Sequence, residues 1–327
     1  MSPPWIIPHA AVRFHFYSPN AKSGAVDCSI SVVIPAYRAE PFIRRAVESA
    51  LGQTCPPLEV VIASDDGADY VGLLRESGLS DSRIRCVSTG GVGTGPANAR
   101  NTALAAARGR IIATLDADDL LAPRALEILA PLARLHGAAY CRPTFIDQAT
   151  GTELESLDRR LPTGPVQLED ILTSQIHTYA GIVFDRSRVT ARWPAWMERW
   201  EDVYFYVRCF DDLESLFHVS EPLYHYHRVH GSICNRAETG REYLAWADEL
   251  LRRLDAGDTL GLRNPASRQI FRRFLRSRQD IEAAFVQAGE EGSGRDFHSF
   301  TQRSLDLFYR LAPGAPALAV GATADDS

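Results

Sequence analysis

The sequence is short of several things that would direct function. Its six cysteines (Cys28, Cys55, Cys86, Cys141, Cys209 and Cys234) are scattered, and no two form a C-x-x-C pair. A zinc site or a disulfide framework is therefore not expected, and a reducing cytosol is the default compartment. Long apolar runs are missing too, so nothing approaches the length of a membrane span. Near the start Trp5, Ile6 and Ile7 are interrupted by Pro8 and His9, without the basic opening and apolar stretch of a secretory signal. Positive charge is not in excess: the formal net charge is −6, which argues against a broad nucleic-acid footprint. The expected location is cytoplasmic, with peripheral attachment at the inner face of a membrane as the alternative.

What is present suits a soluble enzyme-sized domain. With 327 residues, 45% of them hydrophobic, the chain has material for one large α/β domain with a helical appendage, or for two modest domains. Residues 1–27 read as an irregular, Pro-containing arm. An alternation then begins. Residues 29–35 form an apolar, β-branched run with the length of a buried strand. Pro41 opens a helix whose apolar residues Phe42, Ile43, Ala46, Val47, Ala50 and Leu51 recur at helical spacing. Strands are predicted at 58–63, 83–87 and 110–115, and helices at 70–76, 96–107 (closed by a glycine cap at Gly109) and 123–136. This rhythm predicts a mostly parallel sheet with helices on both faces. The pattern loosens after Tyr140, with a loop at 151–165, a strand at 182–184 and a helix at 201–210. The α/β domain is expected to span 28–235. A helical region at 236–311, broken at Pro265, and a disordered tail at 312–327 follow.

Ligands of open α/β sheets bind outside the carboxyl ends of the strands. Three polar groups stand at those ends. The first strand runs through Pro35 and Ala36 into Tyr37, the second into Asp65 and Asp66, and the fourth into Asp116, Ala117, Asp118 and Asp119. Five carboxylates on adjacent strand ends repel one another unless a cation or hydrogen-bond donors neutralise them. Hard oxygen ligands of this kind suit Mg²⁺ or Mn²⁺, which commonly bridge a diphosphate.

The stretches SVVIPAYRAEPFIRRAVESALGQT, EVVIASDDGAD and PANARNTALAAARGRIIATLDADD resemble, in order and spacing, the nucleotide-binding half of family-2 glycosyltransferases with the GT-A fold. The likeness is strong to Asp119 and continues weakly to about Asn235. It implies a nucleotide-binding half at 28–120 and an acceptor half at 121–235. By that resemblance Tyr37 stacks on the nucleobase, Asp66 accepts a hydrogen bond from the base, and Asp65 shapes the pocket. Arg100 approaches the base or diphosphate. Asp116 and Asp118 form a D-x-D motif, with Asp118 the metal ligand of first choice. The segment Trp200-Glu201-Asp202 resembles the family's Glu-Asp motif, which gives Asp202 the role of general base and Glu201 a supporting one. Residues 223–232 resemble its tyrosine/basic/serine segment, where His230, and after it His227, are candidates to reach the metal or the phosphates. Where the family has Val-Asp-Asp-Gly-Ser, this chain has Ser64-Asp65-Asp66-Gly67-Ala68, a change beside the base pocket.

The implied activity is inverting transfer of a sugar from a nucleotide-diphosphate sugar, UDP first and GDP or dTDP next. The acceptor is a hydroxyl of a saccharide, a lipid-linked saccharide or a small molecule, with polysaccharide biosynthesis the expected setting. Mn²⁺ or Mg²⁺ assists departure of the diphosphate. The C-terminal helices offer a surface for pairing subunits. Plainer readings compete for each residue. Tyr37 as a core tyrosine, the acidic cluster as a solvated turn capping the next helix, Glu201 and Asp202 as acids favoured at a helix N-terminus, and His230 as a packing histidine all remain in play. Trp193, Trp196 and Trp200 suggest either an acceptor wall or core packing. Gly91, Gly93 and Gly95 do not follow the first strand, so a dinucleotide fingerprint is rejected. A non-catalytic nucleotide-sugar-binding protein of the same fold and a nucleotidyltransferase are the alternatives in other classes.

Overall fold

The computed structural model describes residues 29–154, 161–173, 181–229 and 238–290. The N-terminal arm, Cys28, His230, Cys234 and the tail lie outside the described residues. Strands β1 (Ile30–Ala36), β2 (Glu59–Ser64), β3 (Ile84–Ser88) and β4 (Ile111–Thr114) are parallel and lie in the order β3-β2-β1-β4. Helices α1 (Ile43–Leu51), α2 (Tyr70–Glu76) and α3 (Pro96–Ala106) connect them. Strand β1 faces a hydrophobic cluster on each side. Ile30, Val32, Ile34 and Ala36 pack with Ile43, Ala46 and Val47 of α1, while Val33 packs with Ala99, Ala103 and Leu104 of α3. Burial on both faces is why the sequence shows a continuous apolar run instead of alternation.

The second half of the sheet is mixed. After the short β5 (Leu120–Leu121) and α4 (Ala125–His136), β6 (Ala138–Asp147) runs to the far side. Strand β7 (Gly164–Val166) and helix α5 (Leu168–Thr173) precede β8 (Ile182–Asp185), which lies antiparallel between β4 and β6. Helix α6 (Glu201–Cys209) leads to β9 (Leu216–Arg228), parallel to β6 and antiparallel to β5 and β7. Helices α7 (Thr239–Asp255) and α8 (Pro265–Glu290) close the described chain. Their Leu250, Leu251, Phe271, Phe274 and Leu275 join the same cluster as Trp200, Val203 and Tyr204. No helix among the described residues is long and apolar enough to cross a membrane.

Several local expectations are corrected. The first helix starts at Ile43, two residues after Pro41, because the Ala39 carbonyl takes the N–H of both Phe42 and Ile43 in a preceding turn. Gly109 is not a helix cap. Helix α3 ends at Ala106, followed by an extended Ala107, and Gly109 is small because a Cβ there would stand 2.6 Å from the Ser29 carbonyl oxygen. The helix expected from Pro123 starts at Ala125. The stretch after Tyr140 contains the two longest strands. Pro143 lies within β6 and Pro222 within β9, near the register shifts between these strands, and this irregularity hides their strand character in the sequence.

At the opposite end of the sheet from the strand carboxyl ends, Glu59 is fully buried. It accepts from Ser31 Oγ (2.7 Å), the Arg108 N–H (2.6 Å), Arg108 Nε (2.9 Å) and Arg85 Nη1 (2.6 Å). Burial alone raises its pKa, but these donors outweigh burial and bring it down to about 2. A depressed carboxylate stabilises the fold above its unfolded pKa and loses that contribution as pH falls through the folded value. Glu59→Gln is therefore expected to cost about 3 kcal/mol in urea unfolding at neutral pH. The gap to the wild type should close as the pH is taken from 4.5 towards 2.

Candidate active site

Strand register brings the polar ends together. Ala36 pairs with Ser64, and the Leu115 N–H donates to the Val33 carbonyl. Tyr37, Asp65 and Asp116 thus leave one edge of the sheet side by side. Tyr37 is 45% exposed, with the Arg38 guanidinium 5.1 Å from its ring centroid. A core tyrosine is excluded by that exposure. Gly93, at φ 66°, approaches the same ring, where an added Cβ would lie 3.8 Å from its edge.

The five carboxylates separate into two groups. Asp65 is buried and holds the glycine-containing loop, accepting from Thr89 Oγ1 (2.7 Å), Thr94 Oγ1 (2.5 Å) and the Gly95 N–H (2.9 Å). Asp66 accepts from the N–H of Arg38 (2.5 Å) and Ala68 (3.0 Å) and from the hydroxyls of Tyr70 (2.7 Å) and Ser64 (3.1 Å). Burial raises its pKa, yet these donors together hold it below the ordinary carboxylate value. An ionised carboxylate offers about four lone-pair positions, and here four internal donors use them. Asp66 thereby fixes Arg38 at φ 51° and presents Tyr37. Asp119 is buried, accepting from the Tyr224 hydroxyl and the His227 N–H at 2.7 Å each, and so fastens β9 beneath the acidic turn.

Asp116 and Asp118 remain half-buried at the edge. Arg100, buried on α3, donates to Asp116 (2.9 and 3.3 Å) and to Glu201 (3.3 Å). It thereby links the acidic turn to the start of α6. Burial works against its charge, but Asp116 and Glu201 outweigh it and raise the pKa further. Asp118 is pushed up to about 6 by burial and then by the Asp116 charge. Asp202, beside Glu201 in the first turn of α6, accepts only from its neighbour Val203 N–H (2.7 Å) among the described hydrogen bonds. Burial first, and the Glu201 charge second, push Asp202 up to about 7. A carboxylate poised there can take a proton near neutral pH.

Among the described residues no group of three or more His, Cys, Asp or Glu side chains stands ready to hold a metal. Two half-buried carboxylates still fit Mg²⁺ or Mn²⁺, which commonly take one or two protein carboxylates and complete their shell with phosphate oxygens and water. His230 lies outside the described residues. His227 is buried, its Nδ1 3.2 Å from the His225 carbonyl, and burial and then the Arg45 charge lower its pKa. The tryptophan wall is corrected: Trp193 stacks on Phe205 at 3.9 Å and Trp200 is buried, so both are core, while Trp196 is exposed with Arg253 over its ring. Sequence reasoning missed two supports. Asn101 makes paired hydrogen bonds to the Trp193 backbone (2.7 and 3.1 Å), and the Tyr70 hydroxyl joins Ala39 to Asp66. The only prior signal was that Asn101 lies inside the third quoted stretch and Tyr70 directly follows the second.

Together the parallel half-sheet, the exposed ring, the acidic turn and the mixed second half define a GT-A fold. The comparisons agree. Residues 31–187 match the family model described as glycosyl transferase family 2, and this part of the chain is a family-2 glycosyltransferase domain. Glu201 and Asp202 lie beyond that stretch. The chain is 44% identical over 101 residues to chondroitin synthase of Escherichia coli, covering 30% of this chain and 14% of that protein. It is 39% identical over 102 residues to the E. coli UDP-Glc:alpha-D-GlcNAc-diphosphoundecaprenol beta-1,3-glucosyltransferase WfgD, covering 31% and 40%. The matches thus span well under half of these relatives. A longer match, 26% identical over 213 residues, covers 62% of this chain and 61% of the putative glycosyltransferase EpsH of Bacillus subtilis. Among solved structures, S. aureus TarS 1–349 in complex with UDP-GlcNAc superimposes with a TM-score of 0.59, at 18% identity over 87% of this chain and 81% of that one.

Proposed function

We propose that the protein is an inverting glycosyltransferase that moves a sugar from a UDP-sugar to a hydroxyl of a saccharide or a lipid-linked saccharide. The observation that carries the reading is the Arg100 bridge, which joins the acidic turn at the donor edge to the helix start bearing Asp202. The named relatives support the donor and acceptor classes: WfgD is a UDP-glucose enzyme acting on a diphosphoundecaprenol-linked sugar, and TarS was crystallised with UDP-GlcNAc.

In this reading Tyr37 stacks on the base, while Asp66 and Asp65 hold the turn and loop that frame it. Asp118 and Asp116 would hold Mg²⁺ or Mn²⁺. A divalent ion supplies neutralising charge for the departing diphosphate. Asp202 accepts the proton of the acceptor hydroxyl as its oxygen forms a bond to the anomeric carbon. The bond from that carbon to the diphosphate oxygen breaks with its electron pair, and the nucleoside diphosphate leaves from the opposite face. Glu201 stays paired with Arg100, which keeps the start of α6 aligned with the acidic turn.

Because Tyr37 is exposed, Tyr37→Ala should leave the fold intact and weaken UDP binding by calorimetry about tenfold, the loss of one base-stacking contact. Unchanged UDP affinity would remove Tyr37 from the base site. The function itself is tested by turnover of sugar nucleotides with and without acceptor saccharides.

A further inference from the structure

We propose that Arg278, acting through Trp200, is a positioning residue for Glu201 and Asp202, so that the two C-terminal helices set the geometry of the base. The inference rests on reading Asp202 as that base. Arg278 lies outside the residues matched by the family model.

Trp200 has φ 70°, a left-handed conformation that bulky L-residues rarely adopt and that persists only where surroundings impose it. It stands immediately before the two carboxylates. Its carbonyl accepts the Tyr204 N–H at 2.7 Å, the first rung of α6. The orientation of this one peptide therefore sets the direction in which Glu201 and Asp202 leave the helix.

The surroundings that impose it come from α7 and α8. The Trp200 ring meets Tyr243 edge-on at 4.8 Å and Phe274 edge-on at 5.4 Å. The Arg278 guanidinium lies 4.4 Å from its centroid. Arg278 is itself fixed, donating from Nε (2.8 Å) and Nη2 (2.5 Å) to Oε1 of Glu282, which is fully buried. One residue earlier, Arg199 pairs with Glu242 of α7 and faces the Tyr243 ring. Two consecutive residues ahead of the carboxylates are thus tethered to the same helix pair. A buried ion pair is weak evidence for stability, because apolar side chains of similar volume often serve as well, whereas fixing one geometry is a use that charge and stacking serve. The planar guanidinium both lies on the indole and meets the carboxylate, a combination that Lys reproduces only in part.

The test uses the full chain and three readouts: hydrogen exchange, UDP affinity, and hydrolysis of UDP-glucose and UDP-N-acetylglucosamine. Arg278→Met leaves Glu282 buried without its partner, so melting is expected to fall by about 10 °C with the fold retained. Amide exchange of the 199–206 peptide should rise at least about tenfold while the β1 peptide is unchanged. Hydrolytic kcat should fall at least about tenfold with UDP affinity within about twofold, and Arg278→Lys should recover part of the loss. Arg273→Ala, which breaks an exposed pair with Glu169, should leave all three unchanged. If Arg278→Met does not fold, Glu282→Gln and Trp200→Phe are expected to give the same split. Unaltered exchange at 199–206, or an unaltered kcat in a folded variant, overturns the proposal. Normal hydrolysis by Asp202→Asn instead overturns the reading of the base, which the exchange measurement does not depend on.

Discussion

Asp202→Asn is expected to reduce sugar transfer at least about 10²-fold, the usual contribution of a positioned base, while UDP binding stays within about twofold. The amide keeps the size and the Val203 contact but cannot take the acceptor's proton. The pH profile carries the same information. With Asp202 raised to about 7 by burial and by Glu201, wild-type turnover should fall as pH drops below 7, because the base becomes protonated. That limb should vanish in the variant's residual activity. Stability moves in the opposite sense. A carboxyl whose folded pKa exceeds its unfolded value contributes stability below the unfolded pKa, near 3.8, and loses it as pH rises through the folded one. Asp202→Asn should therefore melt higher than the wild type at pH 8, a gain that disappears in acid. A base assigned on sequence likeness alone predicts the loss of turnover but not the gain in stability.

The second large effect concerns Asp118. Asp65, Asp66 and Asp119 are each satisfied by hydrogen-bond donors, and Asp116 by Arg100. Asp118 is lifted to about 6 by burial and then by the Asp116 charge, against its own backbone N–H and the charges of Arg100 and Arg45. A bound cation relieves that repulsion. Chelation with EDTA is expected to reduce turnover at least about 10²-fold, and added Mn²⁺ or Mg²⁺ to restore it, since such an ion supplies several kcal/mol of charge stabilisation. Asp118→Asn should show the same loss without restoration. Metal-independent turnover would remove this role from Asp118.

The parallel half-sheet was legible because β1, β2 and β4 are buried on both faces and α1 shows a clear apolar period. Strands β6 and β9 were not, since a proline in each and the histidines His218, His225 and His227 of β9 blur their alternation. At the site, the acidic turn, Tyr37, Arg100 and Asp202 could be named from motifs. Their division of labour could not. Saturation of Asp66 adds the Arg38 N–H, 28 residues away, to the local donors Ala68, Tyr70 and Ser64, and the anchoring of β9 by Asp119 joins groups 108 residues apart. Tryptophans close in sequence looked alike, yet the left-handed turn at Trp200 and the stacking of Trp193 on Phe205 commit two of them to the core. The role of α8 had no local signal, because Arg278 meets Trp200 only after the chain has folded back.

The most direct test of the central claim is a phosphorus NMR time course. The chain is mixed with Mn²⁺-free Mg²⁺ buffer, UDP-, GDP- and dTDP-sugars, nucleoside triphosphates and a panel of saccharide acceptors. The reading of the site predicts that UDP accumulates from a UDP-sugar and that Asp202→Asn stops it. Pyrophosphate released from a triphosphate, or binding of the UDP-sugars with no diphosphate formed from any donor, would contradict it.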